Sequence, residues 1–301
     1  MSAPAAVADV ASPRLLLAFA MAFVSAVIWG ATPAATAIAV AGMEPIVAGM
    51  LRTVFAVPLV LCIALAGRLP LPTGRAAWGL LTLSGLGGFA GFTLLFTFGV
   101  AQTSTAHAGL ILAGIPLLTG LGGAIVARQM PSRMWFLGAA IAISGEALLI
   151  TGRGGAAGTA SPSGDLMCIA ATFCAAVGYV SGSRLSAQIG TWATTAWGIT
   201  LAGVLQAPLL WWFTGATDWA AIPAPAWGGM AYLVVMAAVV GYAAWYWALS
   251  EGGVVRVSPV QYLQPLVSLV LAVVIFSEAL SVPLISAAVM ILTGVALARK
   301  G

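Results

Sequence analysis

Ten runs of about 20 predominantly apolar residues follow one another along the 301-residue chain and constrain its fold more than any other feature. A helix needs roughly 20 such residues to cross the ~30 Å hydrocarbon core of a bilayer. Only 6% of the residues are charged, against about 25% in an ordinary soluble domain. The sequence therefore predicts an all-α membrane protein with ten transmembrane helices. Their predicted ranges are 15–40, 45–66, 76–98, 102–127, 134–151, 165–186, 191–213, 226–249, 254–276 and 280–298.

The basic residues predict the orientation of these helices. Cytoplasmic helix ends of membrane proteins carry an excess of Lys and Arg. With the N-terminus in the cytoplasm, the cytoplasmic ends hold Arg14, Arg68, Arg75, Arg128, Arg133, Arg184, Arg256, Arg299 and Lys300. The outer loops then hold Arg153 together with Glu44, Asp165, Asp218 and Glu278. We expect a multi-pass protein of the cell inner (plasma) membrane with both termini in the cytoplasm.

The two halves of the chain are weakly similar. An offset of 149 places Pro116 on Pro265, and an offset of 150 places Trp29 on Tyr179. Five helices end on the side opposite to where they began, so a second copy must be inverted in the bilayer. Inverted repeats are typical of secondary transporters, with the substrate site at the repeat interface. We predict a first five-helix repeat at 1–151, a Gly-rich linker at 152–164 and a second five-helix repeat at 165–301.

The chain resembles the EamA group of the drug/metabolite transporter superfamily. The residues that carry the resemblance are Trp29-Gly30, Arg52, Pro116, Pro265 and Glu278. The first half departs from the pattern because Gln129 stands at the position equivalent to Glu278. Within the family, length and aromatic content look most like the YddG-type exporters of aromatic amino acids. The resemblance implies transport of a small molecule. No cofactor and no metal site is expected.

Aromatic residues in several helices are candidates for contact with a substrate. Phe92 and Phe96 are one helical turn apart, as are Tyr242 and Tyr246, with Trp245 beside them. A Tyr or Trp deep in lipid needs a hydrogen-bond partner or a wet cavity. Aromatic residues at this spacing also commonly pack against neighbouring helices, so both interpretations stay open. Trp29 and Tyr179, which coincide in the repeat alignment, complete the aromatic candidates.

The ninth helix carries the most polar face in the sequence. Ser258, Gln261, Tyr262 and Pro265 follow the spacing of one helical face, and Gln264 flanks it. Buried amides can join helices by hydrogen bonds or line a cavity. We favour the cavity because Pro265 also removes a backbone hydrogen bond there.

Three further sets of residues are candidates for a functional role. His107, the only histidine, either has a structural role or contacts substrate or protons. Pro33, Pro116 and Pro265 are candidate helix breaks with a gating role. Arg52 and Glu146 lie within predicted helices, and an intramembrane charge indicates function by default. A structural ion pair between Arg52 and Glu146 is the alternative.

These observations favour a secondary transporter that exports small amphipathic metabolites by alternating access. Aromatic and other neutral amino acids are the expected substrates, in a neutral, aromatic-lined cavity. The alternatives are a drug or cation carrier or a phosphorylated-metabolite carrier of the same superfamily. An intramembrane enzyme or a non-transporting membrane subunit is the weaker alternative, since HExxH and a Walker lysine are missing from the sequence. The expected partners are a small-molecule substrate and the lipid bilayer, with no nucleic acid, and the protein is expected to be a monomer.

Overall fold

The structure is a computed structural model that describes residues 13–151, 161–215, 217–253 and 257–298. Regular secondary structure in these residues is helical, and we number the apolar helical segments α1 to α10. They are α1 (Pro13–Val40), α2 (Pro45–Ala66), α3 (Gly74–Val100), α4 (Thr105–Ala127), α5 (Arg133–Thr151), α6 (Pro162–Ile189), α7 (Thr191–Phe213), α8 (Ala224–Gly252), α9 (Val260–Phe276) and α10 (Val282–Ala298).

The first eight segments are long and apolar enough to cross a membrane. The last two are shorter and apolar, with 17 residues each from Val260 to Phe276 and from Val282 to Ala298, which is the lower end of the spanning range. The predicted ranges 45–66 and 191–213 coincide with α2 and α7. The other boundaries move by a few residues. Arg153, Arg256, Arg299 and Lys300 lie outside the described residues.

The start of α6 is the boundary whose difference from the prediction matters most, because it changes the surroundings of Asp165. Sequence placed Asp165 in an outer loop, but α6 already begins at Pro162. The side chain of Ser161 caps this end by accepting a hydrogen bond from the Gly164 N–H at 3.0 Å, as a good N-cap residue does. Asp165 therefore belongs to the first turn of a helix, and it is completely buried.

Four helices are irregular at matching places in the two halves of the chain. A π-helical segment interrupts α3 at Ser84–Gly91 and α8 at Tyr232–Val240. A 3₁₀ turn interrupts α4 at Leu112–Gly114, and another, Ser258–Tyr262, covers the start of α9. Each 3₁₀ turn comes shortly before a proline, Pro116 or Pro265, whose missing N–H disfavours a regular helix at that point. Such interruptions are frequent at functional sites.

The first helix contains a break of its own. It consists of Pro13–Gly30 and Thr32–Val40, separated at Ala31. Pro33 lies in the first turn of the second piece and is buried, and the gating role expected for it stays a prediction. In α2, the helical pieces Pro45–Val54 and Ala56–Ala66 meet at Phe55.

Small residues bring the helices very close together. A Cβ added at Gly178 of α6 would lie 2.4 Å from the Cα of Gly88 in α3. A Cβ added at Gly138 of α5 would lie 2.4 Å from the backbone nitrogen of Ala298 in α10. Small residues at helix interfaces allow the backbones to approach closely, which is how membrane helices gain packing contacts.

The bundle has two ends, which we name by their residues. The N-terminal face is the end at which α1 begins; Gly252, at the end of α8, packs there against Ala18. The opposite face holds the start of α4, where Glu278 meets Thr105.

Candidate binding cavity

A cavity of about 1050 Å³ lies inside the bundle. Its deep part is bordered by Trp29, Thr32 and Ser268, and its wall continues to Arg184, Leu249 and Ala298 near the N-terminal face. Among the described residues, the lining does not reach the helix ends at the opposite face. The cavity is therefore open at one end of the bundle and closed at the other.

Three helices close the inner end of the cavity by direct contact. The Ser268 hydroxyl of α9 donates a hydrogen bond of 2.6 Å to the carbonyl oxygen of Gly30 in α1. A Cβ at Gly30 would lie 2.8 Å from the carbonyl oxygen of Gln264, and one at Gly109 of α4 would lie 2.3 Å from the Ser268 Cβ. The absence of side chains at both glycines is what lets α1, α4 and α9 meet here.

An aromatic wall covers one side of the cavity. The Trp29 ring contacts Tyr242 edge-on, with centroids 4.9 Å apart, and Trp245 at 6.1 Å. The Trp29 Nε1–H donates a 3.0 Å hydrogen bond to the carbonyl oxygen of Ala237, inside the π-helical segment of α8. A Cβ at Gly241 would lie 2.7 Å from Trp29 Nε1, so a glycine is required for this approach. The irregular part of α8 thus holds the indole at the cavity surface.

The aromatic wall continues along α8. Tyr242 and Tyr246 have ring centroids 5.7 Å apart, and Trp192 contacts Tyr246 at 5.6 Å. The Tyr246 hydroxyl and the Thr195 hydroxyl are 3.1 Å apart and share a hydrogen bond. Tyr179, on α6, also lines the cavity and is 48% exposed. The tyrosines of α6 and α8 therefore face the same space.

The polar face of α9 forms another part of the wall. Gln261, Tyr262, Gln264 and Pro265 all line the cavity. The side chain of Ser258, predicted for the same face, lies outside the described part of the chain. Pro116 of α4 also lines the cavity, so the two matching prolines border one space.

Arg52 brings a charge to this neutral surface. It lines the cavity, and its guanidinium carbon lies 5.8 Å from the centroid of the Phe92 ring. The Arg52 Nη1 is buried and makes no hydrogen bond within the described residues. The ion pair with Glu146, considered from the sequence, is not formed: in the described structure the one ion pair within 4.0 Å joins His107 and Asp165.

Three candidate residues lie outside the cavity lining. Phe96 is fully buried and stacks on Phe92, with centroids 5.3 Å apart. His107 points to Asp165, with 3.1 Å between Nδ1 and Oδ2. Glu146 lies beside the 3₁₀ turn of α4, where a Cβ at Gly114 would be 2.7 Å from its Oε1. We therefore leave these three residues out of the proposed binding surface.

Sequence reasoning missed the cluster around Asp165. The Thr103 hydroxyl donates a short hydrogen bond to the Asp165 carboxylate, next to His107. A buried carboxylate requires such partners. The signal in the sequence is the lone histidine near the start of α4 with an acidic residue near the start of α6, both at the same predicted membrane depth. This cluster belongs to the closed end of the bundle rather than to the cavity.

A helical membrane bundle with a deep cavity open at one face has the form of a transporter. The sequence profile of the EamA-like transporter family matches residues 16–151 and again residues 162–299. The chain therefore belongs to the EamA-like transporter family and is a membrane transporter.

Individual relatives agree with this assignment. The chain is 30% identical over 281 residues to the uncharacterized transporter YdeK of Bacillus subtilis, a match that covers 92% of this chain and 95% of that protein. It is 24% identical over 272 residues to the uncharacterized transporter sll0355 of Synechocystis, covering 84% and 81%. A solved crystal structure shares the fold, with a TM-score of 0.65, 23% identity, and coverage of 94% of this chain and 96% of that chain.

Proposed function

We propose that the protein is a secondary transporter that exports small amphipathic metabolites by alternating access, with aromatic and other neutral amino acids as its main substrates. The observation that carries the proposal is the cavity, which is closed at one end and lined by both aromatic rings and amides. Its aromatic wall can bury an apolar side chain, and Gln261 and Gln264 offer donors and acceptors to the polar end of a substrate.

The proposal includes the arrangement of the chain in the membrane. We infer two inverted five-helix repeats, 1–151 and 165–301, in the inner (plasma) membrane with both termini in the cytoplasm. The recurrence of the π-helical and 3₁₀ interruptions supports the repeat, as does the twofold match to the family profile. The N-terminal face would then be cytoplasmic, and the cavity would open to the cytoplasm. A transporter that loads its cargo there before export requires this state.

Among the alternatives within the superfamily, a carrier of anionic metabolites is favoured by one observation. Arg52 and Arg184 line the cavity, and no carboxylate among the described residues does so. The same observation disfavours a carrier of drug cations, because a buried cation requires a counter-ion.

Transport assays in liposomes test the proposal. The purified protein is reconstituted and loaded with unlabelled amino acid, and the exchange of labelled phenylalanine and leucine is measured with and without a pH gradient. We expect Tyr246→Ala and Gln261→Ala to reduce exchange at least tenfold. The matched controls are Trp211→Ala, at a side chain 83% exposed on the outside of the bundle, and Gln188→Ala, at an exposed residue of α6. Absence of exchange for every amino acid would overturn the proposal.

A further inference from the structure

The charges at the cavity surface have one sign. Among the described residues that line the cavity, Arg52 and Arg184 are the charged ones. The six described carboxylates are all engaged or placed elsewhere. Asp165 pairs with His107, Glu278 and Asp218 cap helical turns, Glu146 lies beside the α4 turn, and Glu44 and Glu251 are exposed away from the lining. A substrate in this cavity meets positive charge without a compensating acid.

Arg52 is held in place while its guanidinium, apart from the Phe92 ring, has no ionic or hydrogen-bonding partner among the described residues. The next residue, Thr53, shares a hydrogen bond of 3.2 Å with the hydroxyl of Thr93 in α3, which fixes the backbone of α2 at this level. The guanidinium makes neither an ion pair nor a hydrogen bond with any described residue, and its Nη1 is buried. Removing a charge from water without a partner is costly. A ligand anion is the partner that this geometry lacks.

The surroundings of Arg52 fit a carboxylate on an aromatic body. Tyr179 and Tyr242, which share a hydrogen bond, are the titratable neighbours of the guanidinium, so one of the two hydroxyls is left to donate to a carboxylate oxygen. A guanidinium binds a carboxylate with two parallel hydrogen bonds. The rings of Trp29 and Trp245 adjoin Tyr242, so an apolar group attached to that carboxylate would lie against the aromatic wall.

We propose that the cavity selects its substrate by a carboxylate bound at Arg52 and does not require an ammonium group. The substrate class is then that of aromatic and apolar monocarboxylates, with or without an amino group. This inference rests on the proposed transport function and names the chemical group that the same site recognises. Arg184, exposed near the open end, adds attraction for anions that enter.

Three probes that share a phenyl ring show whether the carboxylate or the ammonium group determines binding. They are L-phenylalanine, 3-phenylpropanoate, which lacks the amino group, and 2-phenylethylamine, which lacks the carboxylate. Binding to the purified full chain is followed by tryptophan fluorescence, and each probe is also tested as a competitor of labelled phenylalanine in liposomes. We expect 3-phenylpropanoate to bind at least as tightly as phenylalanine, and 2-phenylethylamine to bind roughly 10- to 100-fold more weakly, the range of one charged hydrogen-bond pair.

Substitutions at Arg52 connect this preference to the residue. We expect Arg52→Gln to weaken binding of both carboxylates about 10-fold or more and to leave the amine unchanged. Arg52→Lys keeps the charge but loses the planar fork, so it should recover part of the affinity. The control is Arg75→Gln, at an exposed arginine of α3. If Arg52→Gln does not fold, the comparison of the three probes on the native protein and on Arg52→Lys still decides.

The outcomes separate this inference from the proposed function. Suppose that amino-acid exchange is observed and that 2-phenylethylamine inhibits it as strongly as 3-phenylpropanoate does. This result would overturn the selection of a carboxylate but would leave the proposed transport function intact. Carboxylate binding that depends on Arg52, without exchange of any amino acid, would support the anchor and reject the amino-acid exporter. Equal binding of all three probes by the native protein and by Arg52→Gln would also overturn the inference.

Discussion

Ser268 and Gly30, separated by 238 positions in the chain, are joined by a 2.6 Å hydrogen bond from the serine hydroxyl to the glycine carbonyl oxygen. The bond links α9 to α1 at the closed end of the cavity, and Gly109 of α4 packs against the same serine. Gly30 immediately precedes the break at Ala31 in α1, and Gly109 lies just before the 3₁₀ turn of α4. The contact therefore lies beside irregular turns in two helices, which is where the proposed alternating-access cycle requires the backbone to rearrange.

Gly109→Ala should weaken this closure. The added Cβ would lie 2.3 Å from the Ser268 Cβ, so α4 and α9 must separate. Overpacking of this kind costs about 1–3 kcal/mol, and we expect a lower unfolding temperature and slower exchange in liposomes. Gly123→Ala is the control on the same helix, because nothing lies within 4 Å of a Cβ there. Equal unfolding temperatures for the two variants would contradict the prediction.

Asp165→Asn should destabilise the opposite face. Asp165 is fully buried and accepts hydrogen bonds from Thr103 and His107. A hydrogen bond to a charged group contributes about 1.5–3 kcal/mol, and an amide that keeps part of the hydrogen bonding should lose somewhat less than the two bonds together. The measurement is the free energy of unfolding in mixed micelles. Asp218→Asn, at an exposed residue that caps a short 3₁₀ turn, should change it by less than ~1 kcal/mol.

Glu278→Ala should loosen the start of α4. The Glu278 carboxylate accepts hydrogen bonds from the Thr105 N–H at 2.7 Å and the Ala106 N–H at 3.1 Å. A carboxylate that satisfies the first N–H groups of a helix contributes about 1–2 kcal/mol. We expect faster hydrogen exchange at Thr105 and Ala106, with Glu251→Ala, an exposed site, as the control. Unchanged protection of both amides would show that the cap contributes nothing.

Ser277→Gly should stabilise the protein. Ser277 ends α9 with φ of 54°, in the left-handed region, which costs a residue with a Cβ about 1–2 kcal/mol. Glycine avoids that cost but adds freedom to the unfolded chain, so we expect a net gain of about 0.5–1 kcal/mol. Thr214→Gly is the matched control, because Thr214 ends α7 with φ of −89° and gains nothing from glycine. A lower unfolding temperature for Ser277→Gly than for the native chain would refute the prediction.

The sequence predicted the helices well because apolar runs determine what lies in lipid. It also predicted that α9 turns amides inward, since an amide facing lipid is costly. It did not separate Phe92 from Phe96, which are one turn apart, because both are equally apolar. Phe92 faces the cavity, whereas Phe96, one turn nearer the closed end, is buried and stacks on Phe92, so the two residues differ because the cavity ends between them along α3.

The sequence also did not predict which charged residues contact each other. Arg52 and Glu146 were predicted at similar depths, yet depth along a helix axis does not fix the direction of a side chain. Glu146 faces the turn of α4 and Arg52 faces the cavity. Asp165 was assigned to an outer loop from the distribution of charges between the two membrane faces. Its burial follows from contacts with His107 of α4 and with Thr103 just before that helix, 62 positions away in the chain.

The size of the cavity has a consequence for the energetics of the cycle. Liquid water occupies about 30 Å³ per molecule, so 1050 Å³ corresponds to on the order of 35 water molecules, far more than one amino acid displaces. An occluded state that collapses this space must return most of that water to the bulk. In the proposed transport cycle, a solute too large to enter the cavity lowers the activity of water outside it. The occluded state, which holds less water, is then favoured over the open state.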